Sequence, residues 1–117
     1  MLNDTQTLGT IPVNYIRRAS SGTLSNFVPS GDTPSNERKL RVGHEVAKSQ
    51  TVNSLYAVSH LKSDPANPAA PAKPAAVQVK IIRPGFVSAT DMKLIIDETI
   101  NGLLDAGVQD ALLNQEQ

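Results

Sequence analysis

The stretch RKLRVGHEVAKSQTVNSLYAVSHLK, Arg38 to Lys62, decides the fold. From Arg38 to Lys48 two sets of residues alternate. Leu40, Val42, His44 and Val46 fall on one side, and Lys39, Arg41, Gly43, Glu45 and Ala47 on the other. A period of two is the signature of a half-buried antiparallel strand. After a polar turn at Ser49 to Asn53, Ser54 to Lys62 repeats the pattern, with Tyr56, Val58 and His60 in phase. Two such runs joined by a short turn predict a hairpin.

Upstream, Val13 to Ala19 reads as a strand, Ser20-Ser21-Gly22 as a turn, and Thr23 to Val28 as the returning arm of a second hairpin. Pro29 to Asn36 has the composition of a surface loop. Downstream, Asp64 to Ala76 carries Pro65, Pro68, Pro71 and Pro74 at every third position. That spacing matches the polyproline II period and equally a low-complexity linker. Ala76 to Arg83 is the next strand, with Val77, Val79 and Ile81 on one side and Gln78, Lys80 and Ile82 on the other; Pro84 and Gly85 end it.

The last third changes period. Ser88 or Thr90 can cap a helix, and Met92, Ile95, Ile96, Ile100, Leu103 and Leu104 form an apolar stripe at helical spacing. Gly107 is a natural terminating residue, and Val108 to Asn114 can form a second short helix. Strands first and helices last predict an α+β fold. Its expected parts are an N-terminal β-hairpin (1–30), an antiparallel sheet (37–83) with a Pro-rich loop (64–76), and two C-terminal helices (89–115) on one sheet face. At 117 residues this is one domain.

Composition narrows the function. Aromatics are 3% and Trp is absent, so the core is thin, and completion by a partner subunit is expected. Without cysteine there is no disulfide framework and no thiolate chemistry. No signal-peptide pattern follows Met1, and no apolar run approaches the roughly 20 residues that span a bilayer. The expectation is a soluble, oligomeric, intracellularly made protein with no membrane partner. The formal net charge of zero hides a split. Residues 1–84 carry ten basic side chains against five acidic, while 85–117 carry six acidic against Lys93 alone. Two faces with different partners fit that split, one partner being a polyanion.

Catalysis is not expected. His44 and His60 share the apolar phase of two pairing strands and are expected close together, as a hydrogen-bonded pair at a subunit contact. A metal would need a third ligand, and none follows at suitable spacing. No nucleophile elbow and no Gly-rich phosphate loop is present, so no cofactor is assigned. Nucleic-acid binding fits better. Lys39 and Arg41 share a sheet face with Ser59, Gln78 and Lys80, which supplies cations for phosphate and hydrogen-bonding groups for bases. Leu55, Leu61 and Ile82 on the same phase make that face less than uniformly polar. A small dimeric nucleic-acid-binding regulator that forms no shells is the alternative this pattern leaves open.

Two segments carry a family resemblance. RPGFVSATDMKLIIDETINGLLDAG (Arg83–Gly107) resembles the passage from last strand to first helix in the coat proteins of single-stranded RNA bacteriophages, the leviviruses, and LRVGHEVAKSQTVNSLYAVSHLK (Leu40–Lys62) is similar to their central hairpin. The resemblance implies a virion protein made in the bacterial host cytoplasm. Such proteins form intertwined homodimers that close into an icosahedral shell around single-stranded RNA. It further implies helix packing on the partner through Ile95, Ile96, Ile100, Leu103 and Leu104. Contacts between dimers would come from the loop with Pro65, Pro68, Pro71 and Pro74, and the RNA-facing positions would be Lys39, Arg41, Gly43, Glu45, Ala57, Ser59, Gln78 and Lys80. In the family that face also binds an RNA hairpin as a translational repressor. This chain departs there: Gly43, Glu45 and Ala57 stand where well-known members carry Thr and Ser, and Ala76-x-Gln78 replaces their Tyr-x-Asn. A carboxylate at Glu45 is unfavourable beside phosphate, so packaging carries over more safely than hairpin-specific repression.

Overall fold

The computed structural model describes residues 2–10, 12–32 and 37–115. The hairpin read from Arg38 to Lys62 is its centre: β4 (Arg38–Val46) pairs antiparallel with β5 (Val52–Lys62), from Arg38 opposite His60 to Val46 opposite Val52. The turn closes with the Ala47 N–H donating to the Thr51 carbonyl (2.9 Å) and Gln50 holding a φ of 64°.

Before it come β1 (Thr5–Leu8), β2 (Val13–Ser21) and β3 (Leu24–Pro29); after it, β6 (Lys73–Arg83). The strands form one antiparallel six-stranded sheet in the order β1-β2-β3-β4-β5-β6. The β2–β3 connection is the two-residue loop Gly22-Thr23, with Gly22 at φ 57°; among its two residues only the glycine needs a positive φ, as a type II′ turn requires. β1 was not expected. Thr7 and Leu8 pair with Asn14 and Val13, and Asp4 binds the Arg17 guanidinium at 3.0 Å, so the N-terminal hairpin is in fact a three-stranded meander.

The chain divides into two compact units, Met1–Ile82 and Arg83–Gln117. In the first, side chains of one phase meet on one face: Tyr15, Phe27, Leu40 and Val42 are buried, with Leu8, Val13, Tyr56 and Val58 packed around them. Phe27 and Leu40 are completely enclosed and lie opposite each other across β3 and β4. Arg17, the other cross-strand neighbour of Phe27, lays its guanidinium 4.9 Å from the ring centroid.

The second unit holds α1 (Ala89–Leu104) and α2 (Ala106–Leu113). Ser88 caps α1, its hydroxyl accepting from the Asp91 N–H at 3.2 Å. Gly107 does not end that helix as expected. α1 stops at Leu104, Asp105 caps α2 by accepting from the Val108 N–H, and Gly107 sits in the first turn of α2. A capping carboxylate breaks the helix here in place of a left-handed glycine.

Three more expectations need correction. Pro74 lies inside β6, which starts three residues before the expected Ala76. β6 is an edge strand, where a missing N–H costs no ladder bond. The remaining loop is not a continuous polyproline helix. Two turns close it, Asn67 N–H to Asp64 carbonyl and Ala70 N–H to Asn67 carbonyl, both 3.1 Å, and polyproline II has no internal hydrogen bonds. Finally, His44 and His60 do not meet. They share a face but lie opposite Ser54 and Arg38, six residues apart along β4, or about 20 Å at strand rise.

Candidate nucleic-acid interface

The face of the sheet opposite the Phe27 cluster is built by the other strand phase. Cross-strand pairs place Lys39 beside Ser59, Arg41 beside Ala57, Gly43 beside Leu55 and Glu45 beside Asn53. On the far side of β4, Asn26 lies beside Arg41 and Leu24 beside Gly43. The expected positions on β4 and β5 therefore do share one surface. Lys80 joins them in a cleft of about 430 Å³ lined by Leu24, Gly43, Glu45, Asn53 and Leu55, and Gln78 has the same phase on β6. A Cβ at Gly43 would sit 3.3 Å from a terminal methyl of Leu24, the residue opposite it on β3.

Not all of the expected residues are equally available. Arg41, Glu45, Gln78 and Lys80 are exposed, Lys39 and Ser59 are half-buried, and Ala57 is buried. Lys39 reaches Glu37 at 3.6 Å, a half-exposed contact of little energetic weight. Leu55 was read on this phase from the sequence; Leu24, Asn26 and Asn53 were not, and the first two follow only once the β3–β4 register is known.

Polar groups on the other face serve the fold. Asp32 takes three hydrogen bonds from Arg38, from its backbone N–H (2.9 Å), Nε (3.0 Å) and an Nη (2.7 Å), and its side chain is only 10% exposed. These bonds from Arg38 hold the Asp32 carboxyl below the usual carboxylate range, against the opposing effect of burial. A depressed folded-state value stabilises the fold above the ordinary carboxylate pKa, and that stabilisation is lost as pH falls through the folded value. Asp32→Asn is expected to cost about 2 kcal/mol at pH 7 and much less at pH 3, measured by urea unfolding at both. An equal loss at the two pH values would contradict this role. His60 Nε2 lies 3.5 Å from the Tyr15 hydroxyl, while His44 Nδ1 pairs with the Ser54 hydroxyl at 2.8 Å. Among the described residues no three His, Asp or Glu side chains gather as a metal site would need.

The helical stripe divides in two. Met92 is buried and Ile96 and Leu103 are half-buried, whereas Ile95, Ile100 and Leu104 are exposed, together with Leu94, Leu112 and Leu113. Among the described residues no helix is long and apolar enough to cross a membrane.

By sequence the chain matches no protein-family model and no curated protein. By structure it does. It superposes on the virus-like particle protein of bacteriophage AVE019 with a TM-score of 0.78 at 16% identity, over 96% of this chain and 94% of that one. The fold is that of phage coat proteins. The bacteriophage GA capsid protein aligns with a TM-score of 0.67 at 14% identity, over 97% and 95% of the two chains. An unassembled bacteriophage coat protein dimer, described as an RNA-binding dimer, aligns with a TM-score of 0.69 at 14% identity, over 97% and 94%. The coat-protein fold thus spans nearly the whole chain, and the elements it shares are the six-stranded antiparallel sheet and the two terminal helices.

Proposed function

We propose that this chain is the structural subunit of a single-stranded RNA phage capsid. It pairs with a second copy, and the dimers close into an icosahedral shell around single-stranded RNA. The observation that carries this reading is the near end-to-end match to coat and capsid proteins. The bare helical residues Ile95, Ile100 and Leu104 support it, since a lone chain leaves them in water and a second copy would cover them. Ile96 and Leu103 belong to the same interface. Lys39, Arg41, Ser59, Gln78 and Lys80 face the RNA, and the turns at Pro65, Pro68 and Pro71 lie at contacts between dimers. The protein is a component of the virion, made in the host cytoplasm, and has no catalytic role.

Negative-stain electron microscopy of the recombinant protein, with nuclease-treated samples assayed for protected RNA, tests the reading. Uniform closed shells holding RNA are expected. Discrete dimers at every salt and protein concentration would overturn it and leave a dimeric nucleic-acid-binding regulator. Reversing two cations, Arg41→Glu with Lys80→Glu, is expected to lower protected RNA per particle by at least about half, because both phosphate contacts are lost and replaced by repulsion. Unchanged RNA content in those particles would remove this face from the RNA-binding role.

A further inference from the structure

The break between α1 and α2 rests on one backbone torsion. Asp105 closes α1 and opens α2, and its φ of −68° already suits a helix; only its ψ of 126° does not. Turning that ψ through about 170° would run the two helices into one. No proline stands between Ala89 and Leu113 to forbid it. Two side chains hold the bent form instead. The Asp105 carboxylate accepts from the Val108 N–H at 3.1 Å, and the Gln109 amide donates to the Leu103 carbonyl at 2.8 Å. In a continuous helix that carbonyl would take the Gly107 N–H, so the Gln109 clamp replaces a bond the bend removes. Gly107 also leaves room for the cap, since a Cβ there would lie 3.1 Å from the Asp105 carboxylate.

The two forms offer different faces to a partner. Ile96, Leu103 and Asp110 recur at every seventh position, so in a continuous helix Asp110 falls in one row with Ile96, Leu103 and Met92. Val108 and Leu112 would then lie on the far side of the helix. A carboxylate on the apolar stripe disfavours covering that stripe with a second copy. The bend removes the conflict. α2 takes its own direction, and Asp110 leaves the row. A second copy therefore binds the bent form better, and association itself shifts the population toward it.

We infer that Asp105 is the hinge of an assembly switch: with the helices bent a second copy can cover the α1 stripe, and with them straight, Asp110 on that stripe, it cannot. This rests on the proposed covering of the stripe by a second copy. The test measures the distance between spin labels on cysteines placed at the exposed positions Glu98 and Asn114, in full-length protein diluted into unlabelled protein, and association in parallel by analytical ultracentrifugation. The chain has no cysteine of its own, so the labels report those two sites alone. A continuous helix separates them by about 24 Å along its axis, and the bend shortens this. The wild-type protein is expected to show mainly the short distance. Asp105→Ala removes the cap and should raise the long fraction relative to the short, and the concentration needed for association, each by about tenfold. Ala106→Pro favours the bend, because proline suits the first position of a helix and holds the residue before it extended. Added to Asp105→Ala, it should restore both the short distance and association without restoring the carboxylate. Wild-type distances in Asp105→Ala would overturn the inference, as would a long distance with unchanged association. A double variant no better than Asp105→Ala would overturn it too. Each of these leaves the capsid reading standing, whereas a wild-type protein that stays monomeric at every concentration would overturn that reading itself.

Discussion

Ile100→Asp combined with Leu104→Asp is expected to abolish both dimers and shells while leaving each chain's own fold in place. Ile100 is 39% exposed and Leu104 65% exposed in the single chain, so the substitutions remove little packing that the chain makes by itself. Across a two-fold interface each change counts twice, because both protomers present the same residues. Burying a fully exposed Ile or Leu side chain contributes about 1.5–3 kcal/mol, so the exposed shares of the two residues, counted in both protomers, come to roughly 3–6 kcal/mol. Burying carboxylates there adds a further cost. A change of this size weakens a dimer by about two to four orders of magnitude in Kd. Analytical ultracentrifugation should therefore show monomers at micromolar concentration where the wild type sediments as dimers or shells. Wild-type assembly by the double variant would move the interface off this helix.

What the sequence made legible follows from which physical signals are local. The β4–β5 hairpin could be read because a period of two is written in the residues themselves, and its pairing is fixed by a short turn. The helical stripe was legible for the same reason. Its division into covered and bare residues was not, since that depends on neighbours that spacing does not specify. The histidine pair failed on a distinction between phase and register. Phase puts His44 and His60 on one face, but His44 lies near the turn and His60 far from it, so antiparallel pairing separates them. β1 gave almost no signal: Thr5–Leu8 has one apolar residue in four, and its position is secured by β2 and the Arg17–Asp4 pair. Gly107 misled because Asp105, two residues earlier, serves as the helix boundary. On the candidate interface, Lys39, Arg41 and Ser59 were placed correctly by alternation. Asn26 was invisible to it, because its place beside Arg41 follows only from the β3–β4 register.

Phe27→Ala is expected to unfold the sheet unit under conditions where the wild-type chain is fully folded. Few side chains are buried, and in this unit they centre on one cluster: Phe27 and Leu40 are fully enclosed, with Tyr15 and Val42 beside them. Phe27 bridges three strands, lying opposite Arg17 on β2 and Leu40 on β4. Truncating a buried Phe to Ala costs about 3–5 kcal/mol, and loss of the Arg17 contact with the ring adds about 0.5–1 kcal/mol. Domains of this size have only about 5–15 kcal/mol in total, so a loss of that order is a large share of what holds the unit. In urea, with a slope of about 1–3 kcal/mol/M, the midpoint should fall by about 2 M. The comparison must be made at one protomer concentration, since association stabilises whatever is folded. Phe86→Ala is the matching control. Phe86 is 92% exposed in the single chain, so below the dimerisation range its loss should change stability by less than about 0.5 kcal/mol. A similar drop for both would mean that Phe86 is covered even in the monomer. A small drop for Phe27 alone would mean that the sheet is held by pairing more than by its core. The expected contrast, large for one and negligible for the other, is what a thin core on one side of a sheet must give.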